Sequence, residues 1–246
     1  MIIDAHTHNQ PYARLGLSAE TPEELVEVLD HYDIDMALLS CCWTGSDTDR
    51  NEHAYSAAKA FPERIKMVVI LDPKRETDLV DTLHFWVDER GAVGLKTHCD
   101  TSGTPYDDPG FAPILAEAGS MGIPVTMHTG SKAWDSVEVV ARRYPQTTLS
   151  LGHFGNSKWP EAIELAAACP NVYLETSGMV LEEEAIRRMV GELGSERVVY
   201  GSDLILIDPA ASIGFIRYAP IGNEEKENIL WRNANRLWRL GVTHED

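Results

Sequence analysis

The sequence is short of positive charge. Its 21 lysines and arginines face 39 aspartates and glutamates, for a formal net charge of −18 at pH 7. A surface of that sign repels phosphate backbones and anionic lipid, so neither nucleic acid nor a membrane surface is expected as a partner. An anionic small molecule stays open as a substrate, because a local cation overrides the global field. No apolar run reaches the roughly 20 residues of a membrane-spanning helix. No basic stretch leads into an apolar one at the start, so no signal peptide is expected. The four cysteines, Cys41, Cys42, Cys99 and Cys169, show neither CxxC nor any other zinc spacing. Adjacent Cys41 and Cys42, at the end of an apolar run, read as buried thiols, and a reduced, cytoplasmic protein is expected. No GxGxxG follows the first apolar run and no Walker A motif occurs, which removes two common nucleotide-binding loops. No linker, repeat or shift in composition divides the chain, so residues 1–246 are read as one domain.

What the chain does contain is a repeating unit. Short apolar runs fall at Met1–Asp4, Met36–Cys41, Lys66–Leu71, Ala92–Thr97, Pro124–Met127, Thr147–Leu151, Val172–Leu174 and Arg197–Tyr200. They begin about 23 to 35 residues apart, the length of one strand–helix unit. Helical patterns lie between them: TPEELVEVLDHY, NEHAYSAAKAF, ETDLVDTLHFWVDERG, FAPILAEAGSMG, DSVEVVARRY, WPEAIELAAA and LEEEAIRRMVGEL, with NEEKENILWRNANRLWRLG closing the chain. The first of these predicts its own start, with Thr21 as N-cap, Pro22 at the first helical position and Glu24 completing a capping box. Eight strands alternating with helices predict an α/β fold of the (β/α)8 TIM-barrel type rather than an open doubly wound sheet.

In such a barrel the chemistry sits where the strands end. The opening MIIDAHTH places His6 and His8 two apart, on one face of an extended strand. The fourth run, VGLKTHCD, ends with Lys96 and His98. The fifth ends with His128, the sixth with His153, the seventh with Glu175 and the eighth with Asp203. Five of the nine histidines thus fall at strand ends; His31, His53, His84 and His244 do not. Each residue alone has a structural reading: a hydrogen-bonded core histidine, a helix cap for Asp203, a surface ion pair for Glu175, a snorkelling amine for Lys96. Together they converge on one opening and point to a metal site.

DAHTH, PVTMHTG, LGHFG and the final GSD resemble the amidohydrolase superfamily. NVYLETSG, RVVYGSDLILIDP and the Asn-Ala-Asn-Arg-Leu stretch are similar to its amidohydrolase-2 branch, which includes the aminocarboxymuconate-semialdehyde decarboxylase group. The resemblance runs from Ile2 to about Leu240. It implies His6, His8, His128 and Asp203 as metal ligands, with Asp203 and His153 catalytic. Lys96, His98 and His153 are left as substrate-binding or second-metal positions; Lys96 stands where some members carry a carboxylated bridging lysine.

Three imidazoles and a carboxylate suit Zn²⁺ or another divalent transition metal, as one ion or two. The expected function is hydrolysis of a small ester, lactone or amide by activated water, with Asp203 moving the proton. Non-oxidative decarboxylation of a small unsaturated or aromatic carboxylic acid is the alternative, weakly disfavoured by a chain that looks short for the decarboxylase group. A homo-oligomer is compatible with the sequence. Asp4 is expected to orient backbone or a ligand histidine rather than bind metal. Trp43, Trp134 and Trp159 either wall the pocket or cover the core. The YDDPG loop is either a lid or a turn. Arg217 is read as a surface ion-pair residue or a partner for an anion.

Overall fold

The computed structural model describes residues 1–9, 19–41, 47–130, 133–178 and 183–243. Cys42, Trp43, His244 and the start of the helix expected from Leu181 lie outside the described residues. The strands are β1 (Ile3–Thr7), β2 (Met36–Leu39), β3 (Ile65–Ile70), β4 (Gly94–Thr97), β5 (Val125–His128), β6 (Leu149–Gly152), β7 (Val172–Glu175) and β8 (Val198–Val199). They form one parallel sheet in chain order. Closure comes from β1 meeting the chain just beyond β8. Ala5 N–H donates to the Tyr200 carbonyl at 3.0 Å, Asp203 N–H donates to the His6 carbonyl at 2.9 Å, and Thr7 bridges Leu204. This is the expected (β/α)8 barrel, and its seam already sets His6 beside Asp203.

The helices are α1 (Pro22–His31), α2 (Asp47–Ala60), α3 (Leu79–His84), α4 (Cys99–Ser102), α5 (Ala112–Met121), α6 (Trp134–Arg143), α7 (Trp159–Ala168), α8 (Glu183–Leu193), α9 (Pro209–Tyr218), α10 (Asn223–Glu227) and α11 (Asn233–Leu237). α1 starts as read: Thr21 Oγ1 accepts from Glu24 N–H at 3.2 Å, and Glu24 Oε2 accepts from Thr21 N–H at 3.0 Å. Its Leu25 and Leu29, four apart and so on one face, are fully buried. Burial of each contributes about 1.5–3 kcal/mol.

Several elements differ from expectation, among them α4, which the sequence reading lacks, and the ETDLVDTLHFWVDERG helix, which begins at Leu79 and passes into a π-helical turn at Phe85–Glu89. β1 runs on to Thr7 instead of stopping at Asp4, because Asp4 is satisfied inside the protein: its carboxylate accepts from His6 N–H, Ser202 N–H and Ser202 Oγ–H. A polar residue with three donors does not end a strand. α9 was not anticipated, although Asp208–Pro209 is a cap signal; Asp208 Oδ1 accepts from Ala210 N–H at 2.8 Å. The closing stretch, read as one helix, is α10 and α11 joined through a wider π-helical turn at Asn228–Arg232.

The main core joins one face of the strands to the helix faces, through residues such as Leu39, Val69, Leu95, Met127, Leu151 and Leu174. A smaller cluster joins Ile3, Ala5, Met36, Leu38, Val68 and Val199 to Ala234 and Trp238 of the closing segment. Asn233 ties that segment in place, its amide donating to the Ser195 and Val198 carbonyls at 2.7 Å each. The opposite rim is thereby left for polar side chains. Among the described residues no helix is long and apolar enough to cross a membrane.

Candidate metal centre

The strand ends do converge. One cavity of about 440 Å³ is lined by His6, His8, Lys96, His98, His128, His153 and Asp203, together with Asn156, Gly178, Leu206 and Ile207. The seven residues expected to bind metal or substrate or to move a proton therefore face one space, although they come from five strand ends and lie up to 197 positions apart (203 − 6).

The hydrogen bonds behind the histidines decide which nitrogen each one offers. His6 Nδ1 lies 2.7 Å from Glu175 Oε2, and His8 Nδ1 lies 2.5 Å from the Ser40 carbonyl. Both partners are acceptors, so both Nδ1 atoms carry the hydrogen and Nε2 keeps the lone pair. Ser177 Oγ donates to Glu175 Oε2 at 2.7 Å and lies 3.0 Å from His153 Nδ1, so it accepts from that nitrogen. His153 therefore also keeps its lone pair on Nε2. This is the outer-shell pattern that orients metal-binding histidines.

Those lone pairs meet Asp203. His8 Nε2 is 3.1 Å and His6 Nε2 is 3.6 Å from Asp203 Oδ1. Two donors on one ion at about 2.0–2.2 Å each lie at most about 4.4 Å apart, so both pairs fit a shared cation. The His8 contact is the sharper test. With its hydrogen on Nδ1, neutral His8 presents a lone pair to a carboxylate oxygen, and a positive centre, proton or metal ion, is required between them. Suitable donor atoms of His6, His153 and Asp203 also lie within 4.8 Å of one another, and so do those of His98, Asp100 and His128.

His128 has its own surroundings. Its Nδ1 is 3.0 Å from Asp100 Oδ2, its ring stacks on His98 with centroids 3.8 Å apart, and its centroid is 4.7 Å from that of His153. Lys96 does not snorkel: it is 1 % exposed and its Nζ donates to His6 Nε2 at 2.8 Å. Glu175 is no surface residue either, being fully buried against His6. Gly201 admits it, since a Cβ there would lie 2.1 Å from Glu175 Oε1.

Electrostatics follow from this enclosure. Burial, helped by the Lys96 charge, holds the His6 imidazole well below the usual histidine range. Burial likewise depresses His128 and His153, and takes His98 down to about 2. Burial pushes the Asp203 carboxyl up, but the neighbouring His8, His6 and His153 side chains outweigh it and hold Asp203 below the usual carboxylate range. Burial raises Asp4 to about 7 and raises Glu175. Backbone strain gathers here too: His153 and Asp203 have φ of 61° and 66°, and Phe154 and Asn156 have 30° and 53°. Such residues cost on the order of 1–3 kcal/mol each and cluster at functional sites.

Other candidates are placed elsewhere. Trp134 and Trp159 begin α6 and α7 and pack against the core. Arg217 is exposed on α9. The YDDPG segment is a pinned turn: Tyr106 is buried, its OH accepting from Cys99 N–H at 3.1 Å and lying 2.9 Å from the His128 carbonyl. Asp4 holds backbone and Ser202, as expected. Missed were Ser40, Asp100 and Ser177, which act on the histidines from behind; only Asp100, two residues past His98, had a positional signal.

Known proteins share this architecture. A solved 5-carboxyvanillate decarboxylase from Sphingomonas paucimobilis matches with a TM-score of 0.80 and 18 % identity, over 97 % of this chain and 98 % of that one. A dihydroxybenzoic acid decarboxylase from Polaromonas sp., solved with bound manganese and 2-nitroresorcinol, matches at 0.76 and 17 %, over 98 % of each chain. A probable 2-pyrone-4,6-dicarboxylic acid hydrolase from Acinetobacter baumannii, solved with citric acid, matches at 0.75 and 15 %, over 97 % and 99 %. No curated protein sequence matches significantly. The amidohydrolase family model of the amidohydrolase-2 type matches residues 3–240, and the chain belongs to that family.

Proposed function

We propose that the chain is a metal-dependent hydrolase of a small ester, lactone or amide, with His6, His8, His128 and Asp203 holding a divalent ion. The observation that supports this reading is the 3.1 Å approach of His8 Nε2 to Asp203 Oδ1, two acceptors that need a proton or a metal ion between them, in a cavity that gathers the other ligand types. Three imidazoles and a carboxylate suit Zn²⁺, and Mn²⁺, Fe²⁺ or Co²⁺ take the same ligand types. When bound, such an ion supplies Lewis acidity and a water whose pKa falls toward about 7.

The protein's own groups do the rest. Asp203, charged at neutral pH, takes a proton from water and returns it to the leaving group. His153, fixed by Ser177 with its lone pair on Nε2, accepts a hydrogen bond from the attacking water or passes its proton on. Leu206 and Ile207 give the cavity an apolar wall that limits water and orients the substrate. Lys96 Nζ occupies the His6 lone pair that a bound ion would take; with an ion held there, the ammonium would be released to pair with an anionic group of the substrate.

Lys96 also favours a second reading, non-oxidative decarboxylation, since a buried ammonium beside the ion suits a substrate carboxylate. Two named decarboxylases share the fold. Assay of purified, metal-loaded protein on lactones, esters and aromatic acids in ¹⁸O-water separates the two. Label in the product without CO₂ supports hydrolysis; CO₂ release without label supports decarboxylation and overturns the first reading.

A further inference from the structure

The carboxylate facing His128 belongs to Asp100, and no motif in the sequence gives it a role. We propose that Asp100 is a positioning residue that sets the His128 ring for metal binding, and that position 130 is glycine to let its carboxylate in. The proposal rests on the reading of His128 as a ligand and extends it to the residue behind.

The geometry is local and specific. Asp100 lies in α4, two residues past His98; Gly130 lies two residues past His128. Asp100 Oδ2 stands 3.0 Å from His128 Nδ1. A Cβ on residue 130 would lie 1.9 Å from that oxygen and 2.8 Å from His128 Cε1, so any side chain there evicts the carboxylate. Gly130 N–H also approaches Nδ1, at 3.2 Å. One nitrogen does not both accept and donate, and the shorter contact to a charged oxygen is the stronger. The hydrogen therefore sits on Nδ1 and the lone pair on Nε2.

Two further contacts fix the ring. His98 stacks on its face at 3.8 Å and 14° between planes, and His98 is itself held by Thr101 Oγ1, 3.0 Å from its Nδ1. His153 meets His128 edge-on at 4.7 Å. Asp100 thus does for His128 what Glu175 does for His6 and the Ser40 carbonyl for His8, giving three imidazoles with one shared tautomer. Unlike Glu175, the Asp100 side chain is 27 % exposed, so it can be removed without opening the core.

The test uses the full chain with Zn²⁺ or Co²⁺ alone as probe, in wild type, Asp100→Ala, Asp100→Asn, Gly130→Ala and the Asp100→Ala/Gly130→Ala double variant, with thermal melts confirming folding. Chelator competition is expected to show a 10–100-fold loss of affinity in Asp100→Ala. The loss is smaller in Asp100→Asn, whose amide oxygen still accepts. Gly130→Ala should reproduce the loss, with the double variant no worse than the weaker single one. The visible spectrum of the Co²⁺ form should shift in Asp100→Ala. Nitrogen-15 spectra of the metal-free protein should place the His128 hydrogen on Nδ1 in wild type and not in Asp100→Ala; this arm stands even if wild type binds no ion, a result that would remove the hydrolase reading instead. Unchanged affinity and spectra in Asp100→Ala overturn the proposal. So does loss of a whole metal equivalent, which would make Asp100 a ligand of a second ion with His98 and His128.

Discussion

Replacing Glu175 by alanine probes the most buried part of the site. Glu175 Oε2 accepts from His6 Nδ1–H and from Ser177 Oγ–H, each at 2.7 Å, and Oε1 accepts from Ser177 N–H. Truncation leaves the His6 Nδ1–H, Ser177 N–H and Ser177 Oγ–H groups without acceptors, at about 1–3 kcal/mol each. Two effects reduce the sum. Ser177 Oγ, 3.0 Å from His6 Nδ1, turns to accept from it, and the protein no longer confines a carboxylate whose burial raises its pKa. The expected net loss of fold stability is about 1–3 kcal/mol, read from urea unfolding. Metal affinity suffers separately, because His6 loses the partner that orients it and keeps its lone pair on Nε2. A 10–100-fold weakening is expected, about 1.4–2.7 kcal/mol, measured by competition with a chelator. Glu175→Gln, which keeps one acceptor oxygen but turns an amide NH₂ toward donors, should fall between. A folded Glu175→Ala protein that binds metal as tightly as wild type would refute the reasoning.

Asp203→Asn should retain metal within about tenfold yet lower kcat by at least about 100-fold, since it removes the proton acceptor and not the whole ligand; wild-type turnover would contradict the role. Lys96→Ala should raise KM for anionic substrates with little change in kcat, whereas loss of a metal equivalent in elemental analysis would make Lys96 a bridging ligand instead. Thr21→Ala, which breaks the capping box of α1, should cost about 1 kcal/mol in urea unfolding and leave activity untouched.

How much of this was visible in the sequence depends on the kind of contact. The barrel was legible because its strands are buried on both faces and read as apolar runs, spaced by amphipathic helices. The cavity residues were legible because strand parity and strand ends place side chains without knowledge of tertiary contacts: His6 with His8, and Lys96 with His98, follow from spacing alone. The residues behind them were not. Ser177 holds His153 across neighbouring strand ends, and Glu175 holds His6 across a barrel that only closure creates. Ser40 acts through its carbonyl, which no side-chain motif marks. Asp4 looked like a strand end because its donors come from Ser202, 198 positions away. The start of α9 is marked in the sequence by the Asp208–Pro209 cap, five residues past Asp203.

The central claim is that a divalent cation sits where His8 and Asp203 face each other. Anomalous diffraction from crystals soaked in Zn²⁺ or Mn²⁺ tests it most directly. The account predicts a peak about 2.0–2.2 Å from His8 Nε2 and from Asp203 Oδ1, with His6 and His128 completing the set. A fully bound ion elsewhere in the protein, with the His8–Asp203 contact unchanged at 3.1 Å, would contradict it.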